Sequence, residues 1–522
     1  MERILLVTLS SKTHRTREEN LGIQYLSSAL RQHKYEVVLL NSWLNNLSIY
    51  DIFVFITNNS FLFVGISTSY MTNKEDCKEL IKLIKNHNKN INIVCGGFGP
   101  TFLASEYIGF GADIVCIGEG EKTIIDIANY YEHKKESLND IDGIAFATGR
   151  ECIYTKKREL INDLDTISFP SRDTLDQIMK MKSAVSVCTS RGCTGKCDFC
   201  SVFAFFSKSN GKKWRGRSVN NITNELKLLN DKGVCYVKVV DDSFIDGNRN
   251  EAWCEEFKNE ILRKKIKLNM KGQIRVDKIT EKTMECLREA GFYSFSCGIE
   301  NGSETALHRM NKFSNMQHIE YALSVMKKYE FIFQMGFILF DNKTTYHELK
   351  ENYSFLKRHL WTVTKGIFTE MYPLEGTLYT KKLMDTGAYD NSFKLEGNNW
   401  KYSCKYEDVR VNLVYSALKK WHTTHTYIYD MTIDPLVGPK AIDFSYMLDL
   451  YKEVMIIKQI DIDFFEKVLN LVDTGANDSE IENFTLQEIA NQKIIFDNVF
   501  NNVSQIYKKN SIIYDAVTNP FL

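Results

Sequence analysis

Along residues 1–132 the pattern of apolar and polar positions keeps changing period. Short β-branched runs at Arg3–Ser10, Glu36–Leu40, Leu62–Ser69, Asn92–Gly96 and Ala112–Ile117 read as strands. Amphipathic helices read between them: Leu21–His33, with Leu21, Tyr25, Leu26 and Leu30 on one face, then Lys78–His87 and Lys122–Glu132. This alternation predicts an α/β fold, a doubly wound parallel sheet of flavodoxin-like type with its ligand site at the carboxyl ends of the strands. A connector over residues 136–183 holds one strand-like run, Ile141–Ala147, and the turn-rich Phe169-Pro-Ser-Arg172.

Six further β/α steps follow. Their strands read Ala184–Cys188, Val234–Val240, Leu268–Ile274, Tyr293–Ile299, Phe331–Phe340 and Gly366–Tyr372, which predicts a partial (β/α)6 barrel with its site again at the carboxyl ends. From about residue 386 the rhythm stops, and Val409–Trp421, Phe464–Val472 and Ile481–Val499 read as helices of a mainly helical C-terminal domain capping the barrel mouth. The expected domains are therefore 1–135, 184–385 and 386–522, with 136–183 as connector.

A chain of 522 residues has ample mass for several cores. Lysine plus arginine equals aspartate plus glutamate at 66 each, so no global field draws the chain to nucleic acid or to an anionic membrane. The basic run Lys212–Arg217 reads as a solvated loop that pairs with nearby acids. His422 and His425 read as ordinary helix-end histidines. No apolar run is long enough to span a bilayer, and the 13 scattered cysteines suit a reducing compartment, so a cytoplasmic location is expected.

Three of those cysteines stand apart from the rest. Cys193, Cys197 and Cys200 form a C-x3-C-x2-C run with Phe199 before the last thiol. Three thiolates on one loop can hold three corners of a cubane iron–sulfur cluster, leaving the fourth iron open to an exogenous molecule. A structural zinc site with Cys188 as fourth ligand is the competing reading. Zinc, however, favours paired C-x2-C knuckles, and no second knuckle is present.

The triplet resembles the signature loop of radical SAM enzymes. The resemblance implies a 4Fe-4S cluster on Cys193, Cys197 and Cys200 whose open iron chelates S-adenosylmethionine (SAM). One electron then cleaves the sulfonium to a 5'-deoxyadenosyl radical that abstracts a hydrogen atom. It also implies an electron donor such as flavodoxin or ferredoxin and a small-molecule substrate. Carboxylates suit the ribose diol or ammonium of SAM, and a guanidinium suits its carboxylate. On the resemblance, Glu300 faces the ribose or methionyl part, Arg275 anchors the carboxylate, and the backbone of Gly336 to Ile338 meets the adenine. Phe199, Asp241 and Gln273 are further implied contacts, with Asp242 beside Asp241 as an alternative.

Upstream, the segment Asn20-Leu-Gly-Ile-Gln-Tyr-Leu-Ser-Ser-Ala-Leu30, the turn Gly96-Gly97 and the run Gly118-Glu-Gly-Glu121 resemble the cobalamin-binding domain of a radical SAM subfamily. Implied cobalamin contacts are Ser67, Thr68, Gly96, Gly97, Gly118 and Glu119. The D-x-H-x-x-G loop that supplies an axial histidine in cobalamin mutases is missing. His14 lacks both the Asp before it and the Gly after it. Cobalamin held without a protein imidazole and a domain holding no corrinoid both stand at this point.

The implied activity is cobalamin-dependent methylation of an unactivated carbon in a small molecule or natural-product intermediate. Radical oxidation, rearrangement or ring contraction without methyl transfer is the alternative. A tRNA methylthiotransferase fits less well, because Cys77, Cys95 and Cys116 include none in the loop after the first strand and the tail reads helical rather than β. A corrinoid or iron–sulfur carrier would not need the SAM-compatible groups at the strand ends.

Overall fold

The computed structural model describes residues 3–9, 19–68, 74–133, 137–149, 151–389, 394–396, 399–401, 406–438 and 440–512. His14 lies outside the described residues. No helix among them is long and apolar enough to cross a membrane.

Strands β1 (Arg3–Thr8), β2 (Glu36–Asn41), β3 (Val64–Ser67), β4 (Ile93–Gly96) and β5 (Ile114–Cys116) pair in parallel in the order β2-β1-β3-β4-β5. Chain direction across the sheet reverses between β1 and β3, where the carboxyl ends of the strands open a crevice. Helix α1 (Leu21–Gln32) starts there, its first turn capped by Asn20, whose side chain accepts from the Ile23 N–H at 3.1 Å. Separate apolar clusters cover the two faces of the sheet.

The sheet continues beyond residue 135. Strands β6 (Ile144–Thr148) and β7 (Glu151–Tyr154) add antiparallel to β5, so part of the expected connector belongs to the N-terminal sheet. Ile144 and Ala145 are fully buried, and the added strands cover what would otherwise be an exposed edge.

The second sheet opens with β8 (Val185–Val187). A two-residue ribbon follows, β9 (Ser190–Arg191) against β10 (Arg215–Gly216), with the short helix α2 (Ser201–Phe206) between them. Strands β11 (Tyr236–Val239), β12 (Asn269–Gln273), β13 (Phe292–Glu300) and β14 (Ile332–Phe337) then line up with β8 in sequential parallel order. The sixth predicted strand, Gly366–Tyr372, is not continuous. Val363 bridges Gln334 and Glu370 bridges Phe340, with the interruption at Gly366. That residue has φ +72°, and a Cβ on it would stand 2.4 Å from the Nδ1 of His422, so the chain bends around the imidazole.

The three predicted C-terminal helices are fragments of longer ones: α3 (Val409–Val437), α4 (Phe444–Asp473) and α5 (Asp478–Lys509). They do more than cap the mouth. At 29 residues α3 is about 43 Å long. Near its start the Tyr415 hydroxyl donates to Glu370 Oε2 at 2.7 Å, at the carboxyl end of the sheet. Its far end reaches the amino ends of the strands, where Ser183 bridges Lys440 and the Tyr236 hydroxyl donates to the Ile442 carbonyl at 2.7 Å. Lys271 of β12 is buried and donates to the carbonyls of Pro435, Gly438 and Lys440 at 3.1, 2.7 and 2.7 Å, which satisfies carbonyls at and just after the C-terminus of the helix. Barrel and helices share one apolar core, because an open barrel must have its flank covered.

His422 and His425 belong to that core. The His425 ring stacks on Phe496 at 3.7 Å, and His422 stacks on Tyr429 at 5.0 Å. Burial pushes their pKa values down to about 4 and about 3, respectively. Free imidazole titrates near 6.5, so the unfolded chain binds more protons below that pH and stability falls as pH drops through it. The loss at pH 5 is about 2 kcal/mol per histidine. Urea unfolding at pH 7 and pH 5 checks this: His425→Phe should lose visibly less stability over that interval than the parent. Equal losses in both proteins would contradict the account.

Candidate active site

The segment between β9 and α2 is held at almost every residue. Gly192 has φ +84° and lies so close to the Lys213 carbonyl that a Cβ would approach it to 1.7 Å; its N–H donates to Asp242 Oδ2 at 2.9 Å. The Thr194 N–H and hydroxyl both donate to the buried Asp246 carboxylate, at 2.9 and 2.6 Å. Asp198 is buried. Its N–H donates to the Met310 carbonyl at 3.1 Å, and its carboxylate accepts from Asn311 and Lys382. Cys200 is the N-cap residue of α2, and the nearby N–H groups of Val202 and Phe203 partly offset the rise that burial gives its thiol pKa.

Cys193, Cys197 and Cys200 line one cavity of about 390 Å³ together with Phe199. Burial pushes all three thiols up, Cys200 to about 12, and a bound metal would favour their thiolate forms. Among the described residues, no three histidine, cysteine, aspartate or glutamate side chains are grouped around a single metal-ion position. A tetrahedral zinc would hold its sulfurs about 3.8 Å apart, whereas a cubane spreads one thiolate to each iron. Cys188 does not join them. Its thiol donates to the Ser190 carbonyl at 3.2 Å and borders a different cavity, so no four-thiol set is assembled. The three thiols therefore fit a cluster better than a zinc ion.

Gln273, Arg275, Glu300 and Gly336 line the same cavity. Glu300 sits at a β-bulge with φ +74°, a conformation that costs energy for a side-chain-bearing residue. Its Oε1 accepts from Lys312 at 3.0 Å, and its carbonyl accepts the Ile338 N–H at 2.6 Å. A Cβ on Gly298 would lie 2.0 Å from that Oε1, so glycine makes room for the carboxylate.

Other expected SAM contacts are placed differently. Asp241 does not reach the cavity. Its buried carboxylate accepts from the Thr189 N–H at 2.6 Å and the Ser190 hydroxyl at 2.7 Å, with Arg249 at 3.5 Å, and its neighbour Asp242 lines the cavity instead. Burial, with the charge of Asp241, raises the Asp242 pKa to about 6. Ile338 turns its side chain into an apolar cluster with Phe199, Met310 and Met371, and its N–H is already given to Glu300. Lys312, absent from the sequence-based set, lines the cavity. Its position twelve residues after Glu300 carries no local signal that the two side chains meet.

A second cavity, of about 340 Å³, lies between the two sheets. Ser67, Gly96, Gly97, Gly118 and Glu119 border it from the N-terminal sheet, and Arg191, Phe205, Phe206 and Val240 close it from the barrel. Thr68 is turned away: it is fully buried, with its hydroxyl 3.2 Å from that of Tyr107. Gly97, at φ +108°, packs against the Thr68 carbonyl so tightly that a Cβ would stand 2.2 Å away. Glu119 borders the cavity, but its carboxylate is taken by Arg191 at 3.0 Å, Arg215 at 2.9 Å and the Ile161 N–H at 3.0 Å. No described histidine lines this space. The basic run is likewise committed internally, with Arg217 on Glu225 at 2.6 Å and Lys213 on the carbonyls of Phe206 and Ser209.

One helix separates the cavities, since Val202 of α2 faces the thiols while Phe205 and Phe206 face the other side. The Phe98 ring, on the short helix that follows β4, stacks on Phe205 at 4.3 Å and supports that partition.

Comparison with known proteins agrees with both halves. Residues 11–128 match the B12 binding domain family, and residues 187–356 match the radical SAM superfamily. The chain thus carries a B12-binding domain followed by a radical SAM domain. It is 28% identical over 365 residues to an uncharacterized methyltransferase of Pyrococcus horikoshii, covering 68% of this chain and 76% of that one. It is 24% identical over 375 residues to an anaerobic magnesium-protoporphyrin IX monomethyl ester cyclase of Synechocystis sp., covering 67% and 73%. Among solved structures, the cobalamin-dependent SAM radical enzyme OxsB, with aqua-cobalamin and SAM bound, has the same fold at a TM-score of 0.78. That match has 19% identity and covers 99% of this chain and 82% of that chain. The radical SAM methyltransferase TsrM of Kitasatospora setae matches at a TM-score of 0.62 and 16% identity, over 74% of this chain and 76% of that chain.

Gly298→Ala gives a clean perturbation of this site. The added methyl group meets the movable end of Glu300 and no backbone within 3 Å, so the fold should hold while the carboxylate swings away. SAM should then bind the reconstituted protein about tenfold more weakly, with the melting temperature within a few degrees of the parent. Unchanged SAM affinity would remove Glu300 from the binding site.

Proposed function

We propose that the protein is a cobalamin-dependent radical SAM methyltransferase that acts on an unactivated carbon of a small molecule. The observation that carries this reading is the pair of cavities set back to back across α2, one lined by three thiols and the other by the glycine-edged strand ends of a B12-binding domain. The second cavity is mostly apolar, which suits the flat face of a corrin ring. When bound, the reduced cluster supplies the electron for SAM cleavage and cobalamin supplies methyl-transfer chemistry.

The chain's own part is to bind, orient and exclude water. Cys193, Cys197 and Cys200 would hold the cluster. Glu300 with Lys312, Gln273 and the backbone at Gly336 would hold SAM beside it. Ser67, Gly96, Gly97 and Gly118 would bring the strand ends against the corrin. The buried Phe205 and Phe206 keep the partition dry and rigid, so that the reacting groups are aligned before they react. A second reading, radical oxidation or cyclisation without methyl transfer, draws on the likeness to the magnesium-protoporphyrin ester cyclase.

Corrinoid retention tests the proposal. The protein would be reconstituted anaerobically with iron and sulfide, given hydroxocobalamin and desalted. A near-stoichiometric cobalamin spectrum, and a methylated product on turnover with substrate candidates, is the expected result. The Cys193→Ala, Cys197→Ala, Cys200→Ala variant should lose the iron–sulfur absorbance and keep the corrinoid. Cluster absorbance without cobalamin in the parent protein would sink the methyltransferase reading.

A further inference from the structure

Arg275 leaves β12 at the wall of the thiol cavity, where a free guanidinium would meet an incoming carboxylate. Its donors are instead spent on the protein. Nε and Nη2 form a two-pronged pair with Asp277 at 2.9 and 3.0 Å. Nη1 donates to the Thr194 hydroxyl at 2.6 Å, lies 3.3 Å from Asp246 Oδ2, and reaches the sulfur of Cys193 at 3.8 Å. Asp246 also grips the Thr194 N–H and hydroxyl, so the guanidinium and the loop share one carboxylate.

The Cys193 sulfur receives a second donor, the Gly195 N–H, at 3.3 Å. A Cβ at position 195 would crowd that sulfur at 3.3 Å and come into ordinary contact with Arg275 Nη1 at 3.6 Å, so glycine keeps the approach to the sulfur open. The other thiols have different surroundings. Cys200 lies at the start of α2, where the Val202 and Phe203 N–H groups act on it, and the cation that acts most strongly on Cys197 is Lys312. A guanidinium therefore hydrogen-bonds one corner of the thiol set and ties it to β12.

We propose that Arg275 is a positioning residue of the cluster rather than an anchor for the SAM carboxylate: it fixes the Cys193 arm of the loop and raises the reduction potential of the cluster. A cation and N–H donors aimed at a cluster sulfur stabilise the added electron, and hydrogen bonds to sulfur are among the main determinants of cluster potential. The two-pronged pair with Asp277 holds the fork at the angle that presents Nη1 to the loop.

The inference rests on the three thiols holding a cluster, which iron and sulfide content of the reconstituted parent checks separately. A parent chain that takes up neither overturns both readings. The test proper uses full-length Arg275→Gln and Arg275→Lys, with EPR-monitored redox titration and equilibrium dialysis of SAM. Arg275→Gln should move the cluster midpoint to a more negative value and leave the SAM dissociation constant within about twofold of the parent. Arg275→Lys, which keeps the charge and loses the fork, should fall between the two in midpoint. It decides the question by the same two measurements if the glutamine variant takes up no iron. An unshifted midpoint overturns the proposal, and so does a loss of SAM affinity of about tenfold or more, whether or not the midpoint moves.

Discussion

The architecture depends on a buried set of charges where the two sheets meet. Arg191, two residues before the first cluster cysteine, takes Glu119 at 3.0 Å and Glu121 at 2.5 Å from the N-terminal domain, and Arg215 shares Glu119. A second set runs alongside: Arg172 holds Glu19 at 3.0 Å and Glu225 at 2.7 Å, and Glu225 also takes Arg217. Most charges in these sets are buried, Glu19, Glu225 and Arg215 nearly completely, so removing a partner of one of these strands it at a cost of about 3–5 kcal/mol. Such pairs add little net stability over an apolar contact, but they are demanding in geometry. They help fix how the strand ends of one sheet face α2 of the other, and the second cavity lies in that junction.

The barrel has a different constraint. Its sheet is open, and the sixth strand is broken at Gly366. Helix α3 covers the exposed flank from the carboxyl to the amino ends of the strands, held at one end by the Tyr415–Glu370 hydrogen bond and at the other by Lys271. The helical region is therefore part of the barrel's core, and a change inside α3 acts on the wall of the site through β13 and β14. The neutral, buried histidines mark the same role, since a charged imidazole could not remain at either position.

Within the thiol cavity, desolvation and charge oppose one another. Burial holds the cysteines as thiols, while Arg275, Lys312 and the N–H groups at the start of α2 favour negative charge at the same place. This surrounding suits a group that brings its own cations and leaves net negative charge on sulfur. Asp246 and Asp198 act on the outside of the loop, where they fix its backbone and neutralise cations without facing the cavity.

Much of this was legible in the chain. Strand and helix periods located both sheets to within a few residues, and the spacing of Cys193, Cys197 and Cys200 marked the loop, because both signals are written in neighbouring residues. Glycine-rich strand ends such as Gly96-Gly97 and Gly118 likewise reach the second cavity. What the sequence left open concerns partners far apart in number. Asp241 and Asp242 are indistinguishable as letters, yet one is locked under Thr189 and the other faces the cavity. Thr68 and Ser67 differ by which side of β3 they point to, and Glu119 by the two arginines that reach it from residues 191 and 215. The antiparallel extension of the first sheet and the passage of α3 along the barrel were equally out of reach. Periodicity and spacing are local and survive in a string of residues. Which buried carboxylate meets which cation is decided only when the sheets close on each other and exclude water.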